Sequence, residues 1–222
     1  MDNVFITKIS AFLPNAPVDN DHIEDVLGRI SGAKSRAKNV VLRSNGIKTR
    51  YYVLDPNTRK PLFSNASLTA HAIRALEDDN FTLDMIGCLV CGTTSPDFMM
   101  PNHAVMTQGE LGLHVCEAIA TSGICLSGMT AMKYAAISVA SGEHACAVST
   151  GSEIASMVMR AEMFTAESSD SDVKNLEKQP EIAFGKDFLR WMLSDGAGAV
   201  RIENRPNSEG ISLKIEWIDF KP

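Results

Sequence analysis

The chain lacks any apolar run long and uninterrupted enough to span a bilayer. Its first residues, Met1-Asp2-Asn3-Val4-Phe5, lack the basic start and apolar stretch of a secretion signal. Cysteine is sparse. The five present (Cys88, Cys91, Cys116, Cys125, Cys146) sit in or beside apolar strand-like runs, without the spacing of a disulfide scaffold. A reduced, cytoplasmic location is therefore expected. Basic charge is not in excess: 21 Lys and Arg against 27 Asp and Glu leave −6, which argues against nucleic acid as a partner.

What is present suffices for a core, since 222 residues at 45% hydrophobic content can bury one, in one or two domains. Charge is uneven. Between Arg29 and Lys60 there are nine basic residues (Arg29, Lys34, Arg36, Lys38, Arg43, Lys48, Arg50, Arg59, Lys60) against the single acid Asp55, a local +8 that leaves −14 elsewhere. Such a run is either a solvated face or a docking patch for something acidic. Cys88-Leu89-Val90-Cys91 has CxxC spacing, but it lies inside the strand-like Met85–Gly92. Residues three apart on a strand point to opposite faces, so the two sulfurs are expected to diverge, with no metal or redox site between them.

Strand-like and helix-like segments alternate. Val4–Phe12 reads as a strand ended by Pro14 and Pro17, and Asp21–Ile30 as a short helix with Asn20 or Asp21 as cap. Ser67–Glu77 carries Leu68, His71, Ala72, Ala75 and Leu76 along one helical face. Met85–Cys91 reads as a buried strand, and a helix begins at Pro101 and runs to about Leu111. Strands follow at Cys116–Ala120 and Ala145–Thr150, and a final pair at Ala197–Glu203 and Ile211–Asp219, joined by the turn-rich Asn204–Gly210. The polar, acid-rich stretch Thr165–Lys186 interrupts this pattern as a surface insertion. Alternation of this kind predicts an α/β fold with parallel crossovers and a sheet covered on both faces.

The most informative stretch is Ala120-Thr121-Ser122-Gly123-Ile124-Cys125-Leu126-Ser127-Gly128-Met129, a small-residue strand end running into a helix. Leu126, Met129, Met132, Ala136, Ile137 and Ala140 recur at helical spacing, and Gly142 is a natural stop. A thiol at that junction meets the unpaired N–H groups and positive end of the helix dipole, which favour thiolate. The competing reading is ordinary core packing, the common fate of an unpaired cysteine.

Cys125-Leu126-Ser127-Gly128, Gly142-Glu143-His144-Ala145-Cys146-Ala147-Val148-Ser149-Thr150-Gly151-Ser152-Glu153 and Ser194-Asp195-Gly196-Ala197-Gly198-Ala199 together resemble the thiolase superfamily. Within it the chain is most similar to the ketoacyl-(acyl-carrier-protein) synthase III branch, with Gly46-Ile47-Lys48-Thr49-Arg50 and Thr93-Thr94-Ser95-Pro96-Asp97-Phe98-Met99-Met100-Pro101 fitting in order. The resemblance implies a thiolase-like fold with a mixed, mostly parallel sheet, one half of an αβαβα architecture. Residues 1–222 would form the N-terminal, cysteine-bearing half-domain with its insertion at about 165–186, and the C-terminal half would not be present in this chain.

By the same resemblance, Cys125 is the acyl-accepting nucleophile of a condensing enzyme of fatty acid or polyketide-type biosynthesis. It would take an acyl group and condense it with a malonyl thioester by decarboxylative Claisen chemistry. The alternatives are a non-catalytic partner subunit or another acyltransferase of the superfamily. No permanently bound cofactor or metal is implied, and the substrate is a thioester of acyl-carrier-protein phosphopantetheine or of coenzyme A. The residue before Pro101 reaches across a homodimer interface into the partner's acyl pocket in this family, which would give Met100 a share in acyl selection; the alternative is plain core beside Phe98 and Met99. The window Lys38–Gly46 lacks the Trp that often stacks on coenzyme A, leaving Arg43 to meet a phosphate and favouring delivery by a carrier protein, for which the basic segment is a docking patch. The family's enolate-stabilising His and Asn have no match here: His22, His71, His103, His114 and His144 fall in no corresponding motif and read as structural or surface residues.

Overall fold

The computed structural model describes residues 3–32, 35, 38–113, 116–164 and 188–220. The elements are β1 (Phe5–Phe12), β2 (Val18–Asp19), α1 (Ile23–Leu27), α2 (Lys38–Asn45), β3 (Thr49–Arg50), α3 (Asn65–Arg74), β4 (Cys88–Gly92), α4 (His103–Leu111), β5 (Glu117–Thr121), α5 (Ser127–Ala140), β6 (Cys146–Glu153), α6 (Ser156–Met159), β7 (Gly196–Glu203) and β8 (Leu213–Lys214). The insertion expected at 165–186 falls on residues outside the described ones, as do Lys34, Arg36 and His114. The chain divides into two compact units, Met1–Leu13 with Ser64–Glu153 and Gly196–Pro222, and Pro14–Phe63 with Ile154–Asp195.

The first unit is built on a six-stranded mixed sheet in the order β5-β4-β6-β7-β1-β8. Strands β5, β4 and β6 are mutually parallel, as helical crossovers through α4 and α5 require. Strand β7 inserts antiparallel between β6 and β1, so four of the six strands run one way and every pairing beyond β6 is antiparallel. The last strand departs from expectation: only Leu213–Lys214 is extended, and it pairs with β1 rather than with β7.

Helix α5 covers one face of the sheet, and α3 and α4 the other. The core beneath α5 joins Val4, Val90, Ala147, Ile202 and Ile215 to Ala131, Ala135, Ala136 and Val139. The helical stripe read from the sequence is thus displaced, because Met129 and Ile137 face outward while the buried face is made of alanines. Small side chains let the helix axis approach the strands closely, a packing gain that a hydrophobicity count cannot register. Helix α3 starts at Ser64, whose Oγ accepts the Ser67 N–H at 3.0 Å, and buries Leu68 and Ala72 as its pattern predicts. In α4 the cap is Asn102, whose side chain accepts from Val105 N–H at 3.0 Å, so Pro101 precedes the cap instead of opening the helix. The Met100–Pro101 peptide is cis.

In the second unit the basic run contains α2, which the sequence reading did not mark as a helix, and pairs β3 with β2. Residues 188–192 are helical, and Trp191 is fully buried. The unit is tied together by buried polar groups. Arg50 donates to Asn20 Oδ1 at 2.6 Å and to Trp191 O; Arg190 donates to Leu27 O at 3.2 Å and Met159 O at 3.0 Å. Asp195 accepts from Val53 N–H at 2.7 Å, Ser156 N–H at 2.8 Å and Ser156 Oγ–H. These bonds satisfy loop amides that no strand or helix ladder would reach.

Candidate active site

Parallel strands share a C-terminal edge, and side chains that follow each strand end meet there. At that edge β4 leads into Thr93-Thr94-Ser95, β5 into Ser122–Leu126, and β6 ends on Ser152-Glu153. The Thr93 N–H bonds Thr121 O at 3.1 Å, prolonging the β4–β5 ladder by one step.

After β5 the chain makes a 3-10 turn over Ile124–Leu126 and continues directly into α5. Cys125 is the middle residue of that turn and is exposed, whereas Cys88, Cys91 and Cys146 are buried and Cys116 half-buried. The first hydrogen bond of the turn runs from Leu126 N–H to Gly123 O at 3.1 Å, so the Cys125 amide precedes the bonded ones. Ile124, beside the thiol, has φ +52°, a left-handed conformation that a β-branched residue rarely adopts. Strain of this kind costs on the order of 1–3 kcal/mol and must be held by its surroundings.

The surroundings here are specific. Thr121 Oγ1 donates to Ser127 O at 2.8 Å, and Ser127 Oγ donates to Ile124 O at 2.8 Å. Underneath, Gly92 is paired with Thr121 on one side and Gly151 on the other. A Cβ on Gly92 would lie 2.4 Å from Ser127 O and 2.5 Å from Ser127 C, and one on Gly128 would lie 3.3 Å from Gly151 Cα. The first turn of α5 therefore rests backbone against backbone on the ends of β4 and β6. That approach sets the height of Cys125 above the sheet edge.

A second layer braces this edge. The Glu153 carboxylate accepts the Thr94 N–H at 2.6 Å and the Ser95 hydroxyl, while Thr94 Oγ1 lies 3.4 Å from Ser127 Oγ. Asp97 caps α3 by accepting from Asn65 N–H at 2.7 Å and Ala66 N–H at 2.8 Å. That fixes the root of the loop carrying Phe98, Met99 and Met100, and Met100 itself is 87% exposed. The reading of Met100 as core is thereby excluded. Met100 and Cys125 follow adjacent strands at one edge of one unit. Arg43 is an exposed residue of α2, in the other unit. Glu153 and Gly92 had no role in the sequence reading; an acid closing a buried strand and a glycine ending one are the signals that mark them.

Of the histidines, His103 is buried, with Nε2 3.2 Å from both Thr69 Oγ1 and Ser152 Oγ, and burial lowers its pKa. His71 stacks on Phe12 with ring centroids 4.5 Å apart, and His22 pairs with Asp19 at 2.7 Å on the surface. Cys88 and Val90 belong to the core under α5, whereas the buried Cys91 does not; the CxxC sulfurs diverge across the sheet as strand geometry predicts.

A mixed sheet of this order, helix-covered on both faces and carrying an exposed cysteine in the turn from an edge strand into the covering helix, is a thiolase-like fold. Solved structures agree: OleA of Xanthomonas campestris with bound cerulenin superposes with a TM-score of 0.69 at 23% identity, over 91% of this chain and 57% of that one. AbyA1, a tetronic acid condensing enzyme, gives 0.67 at 20% identity, over 92% and 54%. In sequence the chain is similar to beta-ketoacyl-[acyl-carrier-protein] synthase III. The protein of that name from Xanthomonas axonopodis pv. citri (strain 306) is 28% identical over 148 residues, which are 67% of this chain and 42% of that protein. The one from Clostridium acetobutylicum is 24% identical over 159 residues, 72% and 45%. The chain thus spans less than half the length of these relatives. No protein-family model matches it. Among the described residues no helix is long and apolar enough to cross a membrane.

Proposed function

We propose that this chain is the cysteine-bearing part of a ketosynthase III-like condensing enzyme, in which Cys125 accepts an acyl group from a thioester. The observation that carries the reading is the exposed thiol held in a strained turn directly before α5, at the edge where three parallel strands end. Attack of the thiolate on an acyl thioester forms the new C–S bond, and collapse of the tetrahedral adduct expels the thiol of the carrier or coenzyme. The oxyanion of that adduct finds the Cys125 amide, which no turn bond engages. Condensation with a malonyl thioester needs an enolate-stabilising histidine and asparagine, which the described histidines do not offer; we assign that step to the assembled enzyme. No resident cofactor enters the reaction, and a cytoplasmic setting suits its exposed, reduced thiol.

Met100 is proposed to act in acyl selection across a homodimer. Phe98, Met99, Met100, Ile124 and Leu126 are exposed apolar side chains around the site, and β5 is an edge strand open to pairing with a second copy. Incubation with an acyl thioester, followed by mass measurement of peptides, is expected to show one acyl adduct on the Cys125 peptide. C125A is expected to abolish it. An adduct that persists in C125A would refute the assignment.

The basic segment is proposed as a docking surface for an acidic acyl carrier protein, with a narrower set of residues than its composition suggests. Arg50 is buried, and Lys38 lies 3.7 Å from Glu24 and over the Trp191 ring, so both serve the fold. Arg29, Arg43, Lys48, Arg59 and Lys60 are exposed. Reversing Arg43 and Lys48 to Glu is expected to weaken carrier binding by about tenfold at low salt and less at high salt, where screening is stronger. Fluorescence anisotropy across a salt series reads this, and unchanged affinity would return the segment to an ordinary solvated face.

A further inference from the structure

At the opposite edge of the same parallel strands lies a second cluster of reactive side chains that the chemistry of Cys125 does not use. Cys88 opens β4 and is paired in register with Glu117, which opens β5; His144 precedes β6, whose Ala147 pairs with Cys88 on its other side. The Cys88 Sγ, a Glu117 carboxylate oxygen and a His144 ring nitrogen all lie within 4.8 Å of one another. We propose that Cys88, Glu117 and His144 bind one divalent transition-metal ion of the zinc class.

The donor set is the first argument. A thiolate, an imidazole and a carboxylate form a mixed S/N/O set that suits zinc over the hard, all-oxygen cations. Three protein ligands leave a fourth tetrahedral position, which a water or the adjacent Ser138 Oγ fills. The second argument is orientation. Tyr134 of α5 donates its hydroxyl to Glu117 Oε1 at 2.8 Å; Ser138 Oγ, 2.7 Å from His144 Nδ1 without the ion, yields that nitrogen to it. Outer partners of this type hold metal ligands in place.

The third argument is an unmet need. With Oε1 taken by Tyr134, Glu117 Oε2 is buried and has no hydrogen-bond partner, while His144 Nδ1 is 3.8 Å away. A buried carboxylate oxygen without a donor is costly, and a cation between Oε2, the imidazole and the sulfur would meet the need. Gly87 contributes space: a Cβ there would lie 2.6 Å from His144 Cδ2, so only glycine lets the imidazole lie against the start of β4. Glu117 and His144 are half-exposed, which leaves the ion a path from solvent, whereas Cys88 is buried at the floor. On binding, the Cys88 thiol loses its proton to solvent as the metal–sulfur bond forms, and no oxidant or reductant is needed. The bound ion would clasp β4, β5 and the approach to β6, stabilising this unit independently of any role for Cys125.

The test is titration of the chelator-treated chain with zinc chloride by calorimetry and with cobalt chloride by absorbance. One equivalent is expected, with a near-ultraviolet sulfur-to-cobalt band and a rise in apparent Tm on adding zinc. C88S should remove the band, and the isosteric E117Q should weaken binding by at least about tenfold. H144A should do likewise, with circular dichroism checking that each variant folds without metal. C91A and C125A should bind as the parent does. Absence of stoichiometric binding, binding unchanged in C88S and E117Q, or loss of the band in C125A would each overturn the proposal.

Discussion

Sub-stoichiometric iodoacetamide at pH 7.5 is expected to carbamidomethylate Cys125 at least about a hundredfold faster than any other cysteine of the folded chain, because only a thiolate reacts and only an accessible one is reached. Burial pushes the thiols of Cys88, Cys91 and Cys146 up to about 12, and raises that of Cys116. A thiol with a pKa near 12 is ionised to roughly one part in 10⁴ or less at pH 7.5. Raising the pH to 9 leaves these buried thiols far below their midpoint, so their labelling should stay slow until the protein unfolds. Cys125, exposed and free of core contacts, is not limited by opening. Time-resolved peptide mapping provides the ranking. Labelling of Cys88, Cys91, Cys116 or Cys146 ahead of Cys125 would remove the basis for treating Cys125 as the acyl acceptor.

The second large effect is expected from one methyl group. Gly92→Ala places a Cβ 2.4 Å from Ser127 O and 2.5 Å from Ser127 C, backbone atoms that cannot swing aside as a side-chain tip would. Either β4 shifts against its two partners or the first turn of α5 lifts from the sheet. Overpacking of this sort costs about 3 kcal/mol, which for a chain of this size lowers the apparent Tm by roughly 6–12 °C. Lifting the turn also moves Cys125 and releases Ile124 from its left-handed conformation, so acyl-adduct formation should fall along with stability. Gly109→Ala is the matched control. It lies within α4 with nothing inside 4 Å of its would-be Cβ, and is expected to raise stability by about 0.5–1 kcal/mol. Thermal melts and adduct yields of the pair check both. A Gly92→Ala chain as stable and as reactive as its parent would show that the close contact has no part in positioning the thiol.

These two expectations differ in how far the sequence anticipates them. The place of Cys125 between a strand and a helix is visible from a run of small residues and a change of hydrophobic period, both local properties. So are α3, α4, the parallel strands and the divergence of the CxxC sulfurs, because period and alternation decide which way neighbouring side chains point. The α5 stripe was misplaced for a related reason. Burial there follows closeness of approach, and alanine permits the approach while contributing little to an apolar pattern. Helix α2 does not show in the pattern because Val41 is its one buried residue and Lys38 and Arg43 give it a polar surface.

What the sequence by itself determined is the alternation of elements, the junction that carries Cys125 and the class of chemistry its motifs resemble. The tertiary structure alone decided which thiol is exposed and which surface basic residues are spent on the fold. It also decided that Gly92, Gly128 and Gly151 seat the turn, and that Glu153 ties the loop after β4 to the end of β6. Cys88, Glu117 and His144 converge for the same reason. Parallel strands bring residues that are distant along the chain to one edge, and the register that aligns them is set by pairing across the sheet, which no stretch of sequence contains on its own.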